Sequence, residues 1–252
     1  MFFILSSILF LLVKNHEATE HQQCGKSMVP TLEKRILGGK EVDPPHSEPW
    51  LVRLGDYGRC SGTLISNRHV LTAAHCEMFV NPAEVTLGDH DAAIKEDGEV
   101  TMKVISQENH PQYWLEGDTA GYDFSIWTLE KEVKFSSTIQ PVCLPDNSDE
   151  NYLGQSVQNS GFGLAKWKKG EQFPSMDWEN KVPRTVGIKV MPMSTCLATE
   201  WLISRLENVK TPGRYLNDTN TICAGVTPTE FTDEWIGPNK GDSGGINIVL
   251  FW

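Results

Sequence analysis

The chain has 252 residues, and its 33 aspartates and glutamates outnumber its 22 lysines and arginines, which gives a formal net charge of −11 at pH 7. The phosphates of nucleic acids and anionic membrane surfaces repel a protein this acidic, so we expect neither as a partner. The six cysteines are an even number, as expected of a disulfide-bonded protein, but the sequence alone leaves their pairing open.

The chain begins with an apolar run, MFFILSSILFLLV, followed by Lys14. This run suits the hydrophobic core of a secretory signal peptide and is shorter than the roughly 18–20 apolar residues that a transmembrane helix needs. We therefore expect residues 1–19 to be a signal peptide, with cleavage near residues 17–20 and no membrane anchor. A buried N-terminal helix is the alternative. Secretion would expose the cysteines to an oxidising compartment, where disulfides form.

Short segments rich in β-branched, aromatic and aliphatic residues recur between glycine, proline and asparagine clusters, and they predict strands. The predicted strands include Trp50–Leu54, Gly62–Ile65, Val85–Leu87, Phe124–Leu129, Thr185–Val190 and Thr221–Gly225. One short helix is predicted over Ser194–Leu206. Because no helical period persists elsewhere, the fold class is predicted to be all-β, with antiparallel barrels as the natural arrangement. The chain length favours one fold of two packed halves.

Three motifs carry the side chains of a nucleophilic site. In Gly241-Asp242-Ser243-Gly244-Gly245, the glycines permit a sharp turn that exposes a hydroxyl beside backbone N–H groups, although alone it could be an ordinary turn. A serine hydroxyl needs a base and a group that orients the base. His75 in LTAAHC supplies a base, and Asp123 precedes the strand-like run FSIWTL. Asp118 is a weaker candidate because no such run follows it directly.

The order His75, Asp123, Ser243 is that of chymotrypsin-like enzymes and differs from that of subtilisins and α/β-hydrolases. From Cys24 to Gly245 the chain resembles the secreted serine proteases of the trypsin/chymotrypsin family. The resemblance implies two packed antiparallel six-stranded β-barrels, with the protease domain over residues 36–252. A lipase or esterase is excluded by the chain order and by the lack of a strand–elbow–helix pattern.

The resemblance also implies the roles of the site residues. Ser243 would attack a peptide carbonyl, His75 would take and later return the proton, and Asp123, ionised and buried, would orient the imidazole. The N–H groups of Gly241 and Ser243 would form the oxyanion hole. The substrates would be proteins or peptides, and no cofactor is needed.

A zymogen is implied by the segment ending Lys34-Arg35-Ile36, which continues as Leu-Gly-Gly. Residues 20–35 would be a short propeptide, and an activating protease would cleave after Arg35. The freed amino group of Ile36 would pair with Asp242 and shape the oxyanion hole, as a buried ion pair acting as a switch. An exposed Lys-Arg turn is the alternative.

Two further features follow from the resemblance. It selects the cysteine pairs Cys60–Cys76, Cys196–Cys223 and Cys24–Cys143, of which the first would pin the segment carrying His75 and the last would tether the propeptide. Four acidic residues in LGDHDAAIKEDGE resemble the calcium loop of some members, with oxygen ligands suited to a hard cation. They are Asp89, Asp91, Glu96 and Glu99. A solvated acidic loop without metal is the alternative that we favour.

Departures from the family pattern concern the C-terminal part. Gly237 stands where trypsin-like members carry the aspartate that binds lysine or arginine, so no basic preference is predicted unless Asp233 or Glu234 reaches the pocket. Asn239 replaces a usual half-cystine. After Gly245 the chain reads INIVLFW and stops, so we expect a C-terminally truncated member with an incomplete second barrel.

Two functions therefore compete at this point. The leading prediction is a secreted serine endopeptidase made as a zymogen. The alternative is a non-catalytic protease homologue, or an inactive truncated isoform, that acts as a binding protein.

Overall fold

The computed structural model describes residues 24–27, 40–55, 60–80, 83–95, 98–113, 122–145, 152–163, 181–198 and 222–225, and the backbone of 246–249. Within these ranges the chain forms eleven strands, one 3₁₀ helix at Ala74–Met78 and helical turns over 193–198, the described part of the predicted helix. None of the helices in these ranges is both long and apolar enough to cross a membrane.

The strands follow one another as β1 (Lys40–Glu41), β2 (Leu51–Leu54), β3 (Cys60–Leu64), β4 (His69–Thr72), β5 (Glu84–Leu87), β6 (Val100–Asn109), β7 (Ser125–Leu129), β8 (Ser156–Gly161), β9 (Arg184–Val190), β10 (Ala224–Gly225) and β11 (Ile246–Val249). Every strand pair is antiparallel.

Strands β2 to β7 close a six-stranded barrel in the order β2-β3-β4-β7-β6-β5. Alternate side chains point into it because successive residues of a strand face opposite sides. The fully buried interior is formed by Val52, Leu54, Leu64, Val70, Val85, Leu87, Trp127 and Leu129. Gly62 is required by this packing, since a Cβ there would lie 2.7 Å from Val70 Cγ1 and 2.8 Å from Leu54 Cδ1. The first half therefore has a single closed core.

The remaining strands form a second sheet in the order β1-β9-β8-β11, with β10 also paired to β9. Its buried residues are Val157, Val186, Ile188 and Val190. Hydrogen bonds between the sheet and the barrel side include that from the Phe162 N–H to Ser61 Oγ at 2.9 Å and that from Gln158 Nε2 to Glu48 Oε1 at 2.7 Å. Both bonds run from β8 or its end toward the barrel.

All six cysteines are paired, as Cys24–Cys143, Cys60–Cys76 and Cys196–Cys223. These are the pairs that the family resemblance implies. The first joins the short segment 24–27 to the chain that leaves the barrel. The second joins β3 to the 3₁₀ helix, and the third joins the helical turns at 193–198 to the residue before β10.

The all-β prediction is confirmed, and the predicted strands coincide with β2, β3, β5, β7 and β9 within a few residues. The predicted second barrel corresponds, in the residues that the structure describes, to the five-stranded sheet. The longest strand, β6, was not among the predicted ones. Its alternation is broken by a bulge between Val104 and Ser106, where the register with β7 shifts.

Candidate active site

His75 lies on the rim of the closed barrel, directly after β4. The chain leaves Thr72 through the extended residue Ala73 and enters the 3₁₀ helix. Ala74 and Cys76 are buried on the inner side of this helix, and the disulfide from Cys76 to Cys60 ties it to β3. Because both neighbours point inward, the imidazole of His75 is turned toward solvent, with 30% of its side chain exposed.

Asp123 reaches His75 through strand pairing, although the two are 48 residues apart in sequence. Strands β4 and β7 are neighbours, and Thr72 lies opposite Ser125. The residues just after β4 therefore lie beside those just before β7. Asp123 lies just before β7 and is thereby brought beside His75, which lies just after β4.

Both carboxylate oxygens of Asp123 accept hydrogen bonds from His75. The imidazole Nδ1 lies 2.6 Å from Oδ2, and the backbone N–H of His75 donates to Oδ1 at 2.9 Å. With the Nδ1 proton directed at the carboxylate, Nε2 is the nitrogen that can accept a proton from a substrate or a hydroxyl. The arrangement orients a base.

Burial raises the pKa of Asp123, but hydrogen bonds from the His75 side chain and backbone, attraction to the imidazole and a hydrogen bond from the Ala74 backbone lower it more. The net effect is a pKa below the ordinary value, so Asp123 is ionised at neutral pH. Its side chain is 27% exposed, so Asp123 is half-buried and not buried as expected from the sequence. The reason is its place at the rim ahead of β7, outside the barrel core.

Aromatic rings surround this pair. Phe79 meets His75 edge-on, with ring centroids 6.1 Å apart. The His110 ring is stacked on Tyr122 and tilted against Phe124, each at a centroid distance of 4.7 Å. The aromatic residues on either side of Asp123 are visible in the sequence. The contact with His110 is not, because it depends on the register between β6 and β7.

The other predicted site residues lie outside the described residues. They are the oxyanion-hole residues Gly241 and Ser243, of which Ser243 is also the nucleophile, and the activation residues Arg35, Ile36 and Asp242. Gly237, Asp233, Glu234, Asn239 and Asp118 also lie there. The part of the chain that the structure describes resumes with the backbone of β11, which is hydrogen-bonded to β8.

Two of the four acidic residues singled out as possible calcium ligands bind other groups of the protein. The buried carboxylate of Asp89 is bound by Nε of Arg53, so a guanidinium already supplies its positive partner. Asp91 Oδ1 accepts the Ala93 N–H at 2.9 Å, and Glu96 lies outside the described residues. Together with Glu99, these carboxylates do not converge on a common point.

Among the described residues, one group of potential metal ligands does converge, namely Cys60, His75 and Cys76. Both sulfur atoms belong to the Cys60–Cys76 disulfide and cannot act as thiolate ligands. The group is therefore the structural support of His75, and it gives no reason to place a metal there.

Comparisons with known proteins identify the family and the fold. A family model described as Trypsin matches residues 36–248. Mouse ovochymase-2 is 30% identical over 234 residues, which cover 88% of this chain and 34% of the relative. The chain thus spans about a third of the length of that curated relative.

Two solved structures share the fold. Neuropsin, a serine protease of mouse brain, is 26% identical with a TM-score of 0.61, covering 85% of this chain and 82% of its own. Human heparin binding protein is 24% identical with a TM-score of 0.62, covering 85% and 80%, and supports the fold alone. Because the family model extends over most of the sequence, the chain belongs to the trypsin family of serine proteases.

Proposed function

We propose that the protein is a secreted serine endopeptidase, made as a zymogen, that hydrolyses peptide bonds through an acyl-enzyme. The observation that carries the proposal is the double hydrogen bond from His75 to an ionised Asp123. A histidine held in this way has Nδ1 hydrogen-bonded to the carboxylate, which leaves Nε2 to accept a proton. That is the requirement for a general base beside a serine.

In the proposed mechanism His75 Nε2 takes the proton from the Ser243 hydroxyl as it attacks the carbonyl carbon of the substrate. Asp123 stabilises the imidazolium that forms, and the imidazolium then protonates the leaving amine. The N–H groups of Gly241 and Ser243 stabilise the negative oxygen, where one donor contributes about 3 kcal/mol to the transition state. Water then attacks the acyl-enzyme, with His75 again taking the proton, and the Ser243 hydroxyl is restored.

The zymogen part of the proposal rests on the sequence around Arg35 and on one disulfide. Cleavage after Arg35 would free the amino group of Ile36 for an ion pair with Asp242. Cys24 lies before the cleavage point and is bonded to Cys143, so the propeptide would stay attached afterwards. Secretion is supported by the apolar N-terminal run and by the three disulfides.

The proposed substrates are proteins or peptides without a preference for lysine or arginine before the cleaved bond, because the sequence has Gly237 where trypsin-like members carry the aspartate that binds these side chains. Heparin binding, which the name of the human neighbour states for that protein, is not proposed. A net charge of −11 opposes a polyanionic sugar.

The test is labelling with a fluorophosphonate probe, which reacts only with an activated serine. The purified chain is treated with and without limited tryptic cleavage, and N-terminal sequencing identifies the molecules that begin at Ile36. We expect labelling only after cleavage. Ser243→Ala should abolish it without changing secretion.

Two neighbouring variants make the activation step specific. Arg35→Gln should leave an unlabelled protein, because no chain beginning at Ile36 can form. Lys34→Gln is the matched control and should activate normally. A folded protein with Ile36 at its N-terminus that neither takes the label nor hydrolyses a casein substrate would refute the proposal in favour of a non-catalytic binding protein.

A further inference from the structure

Asp123 is the central residue of a tight turn. The Phe124 N–H donates to the Tyr122 carbonyl at 2.8 Å, which is the hydrogen bond of a γ-turn. Tyr122 has a φ of 60°, in the left-handed region that a bulky L-residue adopts only at a cost in free energy. A turn of this kind persists only when its surroundings hold it in place.

His110 holds the turn through its backbone. It follows the last residue of β6, and its N–H donates to the Phe124 carbonyl at 3.0 Å. This bond extends the ladder between β6 and β7 by one step beyond the pair of Asn109 and Ser125. The residue after Asp123 is therefore fixed to the barrel.

The side chain of His110 holds both ends of the same turn. Its ring is nearly parallel to Tyr122, with an interplanar angle of 7°, and is tilted by 52° against Phe124. Stacked and tilted aromatic contacts at about 5 Å are favourable beyond the area that they bury. The strained Tyr122 is thus held by a ring that also touches the residue on the far side of Asp123.

The orientation of the His110 ring is fixed in turn. The Gln112 N–H donates to His110 Nδ1 at 3.2 Å, and the Tyr113 N–H donates to the His110 carbonyl at 2.9 Å. Nδ1 accepts one of these bonds and the backbone carbonyl accepts the other, so both the ring and the backbone of His110 are held by the residues that follow it. The ring lies against the turn in one defined orientation.

We propose that His110 is a positioning residue, which holds Tyr122 and Phe124 so that the Asp123 carboxylate meets His75 at the angle needed for catalysis. Its described ring contacts are with the two residues that flank Asp123, so it acts through the position of Asp123. The proposal rests on the proposed protease function for its kinetic consequence, but the hydrogen bond that it controls can be observed without any hydrolysis.

The first measurement is proton NMR of Ser243→Ala protein, in which the proton between His75 Nδ1 and Asp123 resonates far downfield. Asp123→Asn assigns the signal by removing it. Adding His110→Ala should broaden or shift the signal upfield, whereas His110→Phe, which keeps a flat ring, should retain it. His69→Ala is the matched control, since His69 also anchors a turn, through Ser66 Oγ at 2.8 Å, away from Asp123.

The second measurement is kinetics on the activated enzyme. His110→Ala should lower kcat by about 10- to 100-fold with little change in KM, since misplacing a catalytic group weakens the chemical step. His110→Phe should restore most of kcat. If His110→Ala does not fold, His110→Leu, which keeps the bulk without the ring, should show the same loss.

The two proposals fail separately. A wild-type protein without hydrolysis, in which the downfield signal still depends on the His110 ring, would overturn the protease function and support the positioning role. An active enzyme whose kcat and downfield signal are unchanged in His110→Ala, or in His110→Leu, would overturn the positioning role.

Discussion

Two buried or half-buried carboxyl groups of this protein have pKa values shifted in opposite directions. Asp123 has a lowered pKa, because hydrogen bonds to its charged form outweigh the effect of burial. Burial dominates at Glu48 and raises its pKa to about 7, although hydrogen bonds with Ser160, Thr185 and Gln158 partly offset the shift. The two environments favour different protonation states at neutral pH.

Glu48 makes the stability of the protein depend on pH. In the unfolded chain its pKa is near 4.5, so between pH 4.5 and 7 the unfolded state releases a proton that the folded state keeps. The stabilising contribution is complete below pH 4.5 and is lost as the pH rises through 7. The free energy of unfolding should therefore fall over this range by up to about 3 kcal/mol.

The variant Glu48→Gln should remove this dependence, because an amide cannot lose the proton. We expect it to match the wild type near pH 4 and to exceed it in stability at pH 8, in urea unfolding monitored by circular dichroism. Glu130→Gln, an exposed acid on the same barrel, is the control and should leave the pH profile unchanged. Parallel profiles for Glu48→Gln and the wild type would contradict the assignment.

Among the elements, the pairing of β4 with β7 and the adjoining 3₁₀ helix create the candidate site. The helix has five residues and no side-chain cap at its start, so its own hydrogen bonds give it little stability. The Cys60–Cys76 disulfide supplies the missing anchor. The helix should therefore depend on this bond for the position of His75.

Replacing both Cys60 and Cys76 by serine should reduce the free energy of unfolding by about 3 kcal/mol, given a sequence separation of 16 residues. It should also lower kcat, because the support under His75 is lost. The matched control replaces Cys24 and Cys143, which lie away from His75, and should leave kcat unchanged. Equal kcat values for the two double variants would show that the bond does not position the histidine.

The elements also explain what the sequence could and could not predict. Strand β7 alternates regularly between buried and more exposed residues, and the sequence predicts both β7 and β2 to within one residue. The same strand-like run, FSIWTL, singles out the preceding Asp123 as the candidate partner of His75. The contact of His110 with the turn around Asp123 is not predictable from the sequence, because the bulge in β6 shifts its register with β7. Without that extra residue the ladder would place Asn109 opposite Phe124, so the contact depends on one local irregularity.

In the whole molecule, a closed barrel and a second sheet share one chain, and the segment 24–27 is attached by the longest-range disulfide. Besides Cys24–Cys143, which spans 119 residues, the Gly25 N–H donates to the Pro141 carbonyl at 2.8 Å. Composition and patterning predicted this all-β class. Which strands close a barrel depends on long-range pairing that local patterns do not encode.

Activation should therefore yield two chains that remain joined. After cleavage at Arg35, a non-reducing gel should show one band of unchanged mass, and a reducing gel should separate the short propeptide from the protease domain. Cys24→Ser paired with Cys143→Ser should release the peptide without reduction. Release of the peptide from wild-type protein under non-reducing conditions would contradict the role of this disulfide.

The closed barrel divides the protein into parts of unequal resistance to opening. A closed barrel has no unpaired edge, so its amide hydrogens exchange with solvent only when most of the unit unfolds. The second sheet, as far as it is described, is bordered by β11 and by two-residue strands, and it can open in smaller steps. His75 and Asp123 adjoin the barrel strands β4 and β7, whereas Ser243 lies three residues before β11 in sequence. With rising denaturant, we therefore expect hydrolysis to stop while His75 and Asp123 are still hydrogen-bonded. The loss of catalysis would then measure the separation of the second sheet from the barrel.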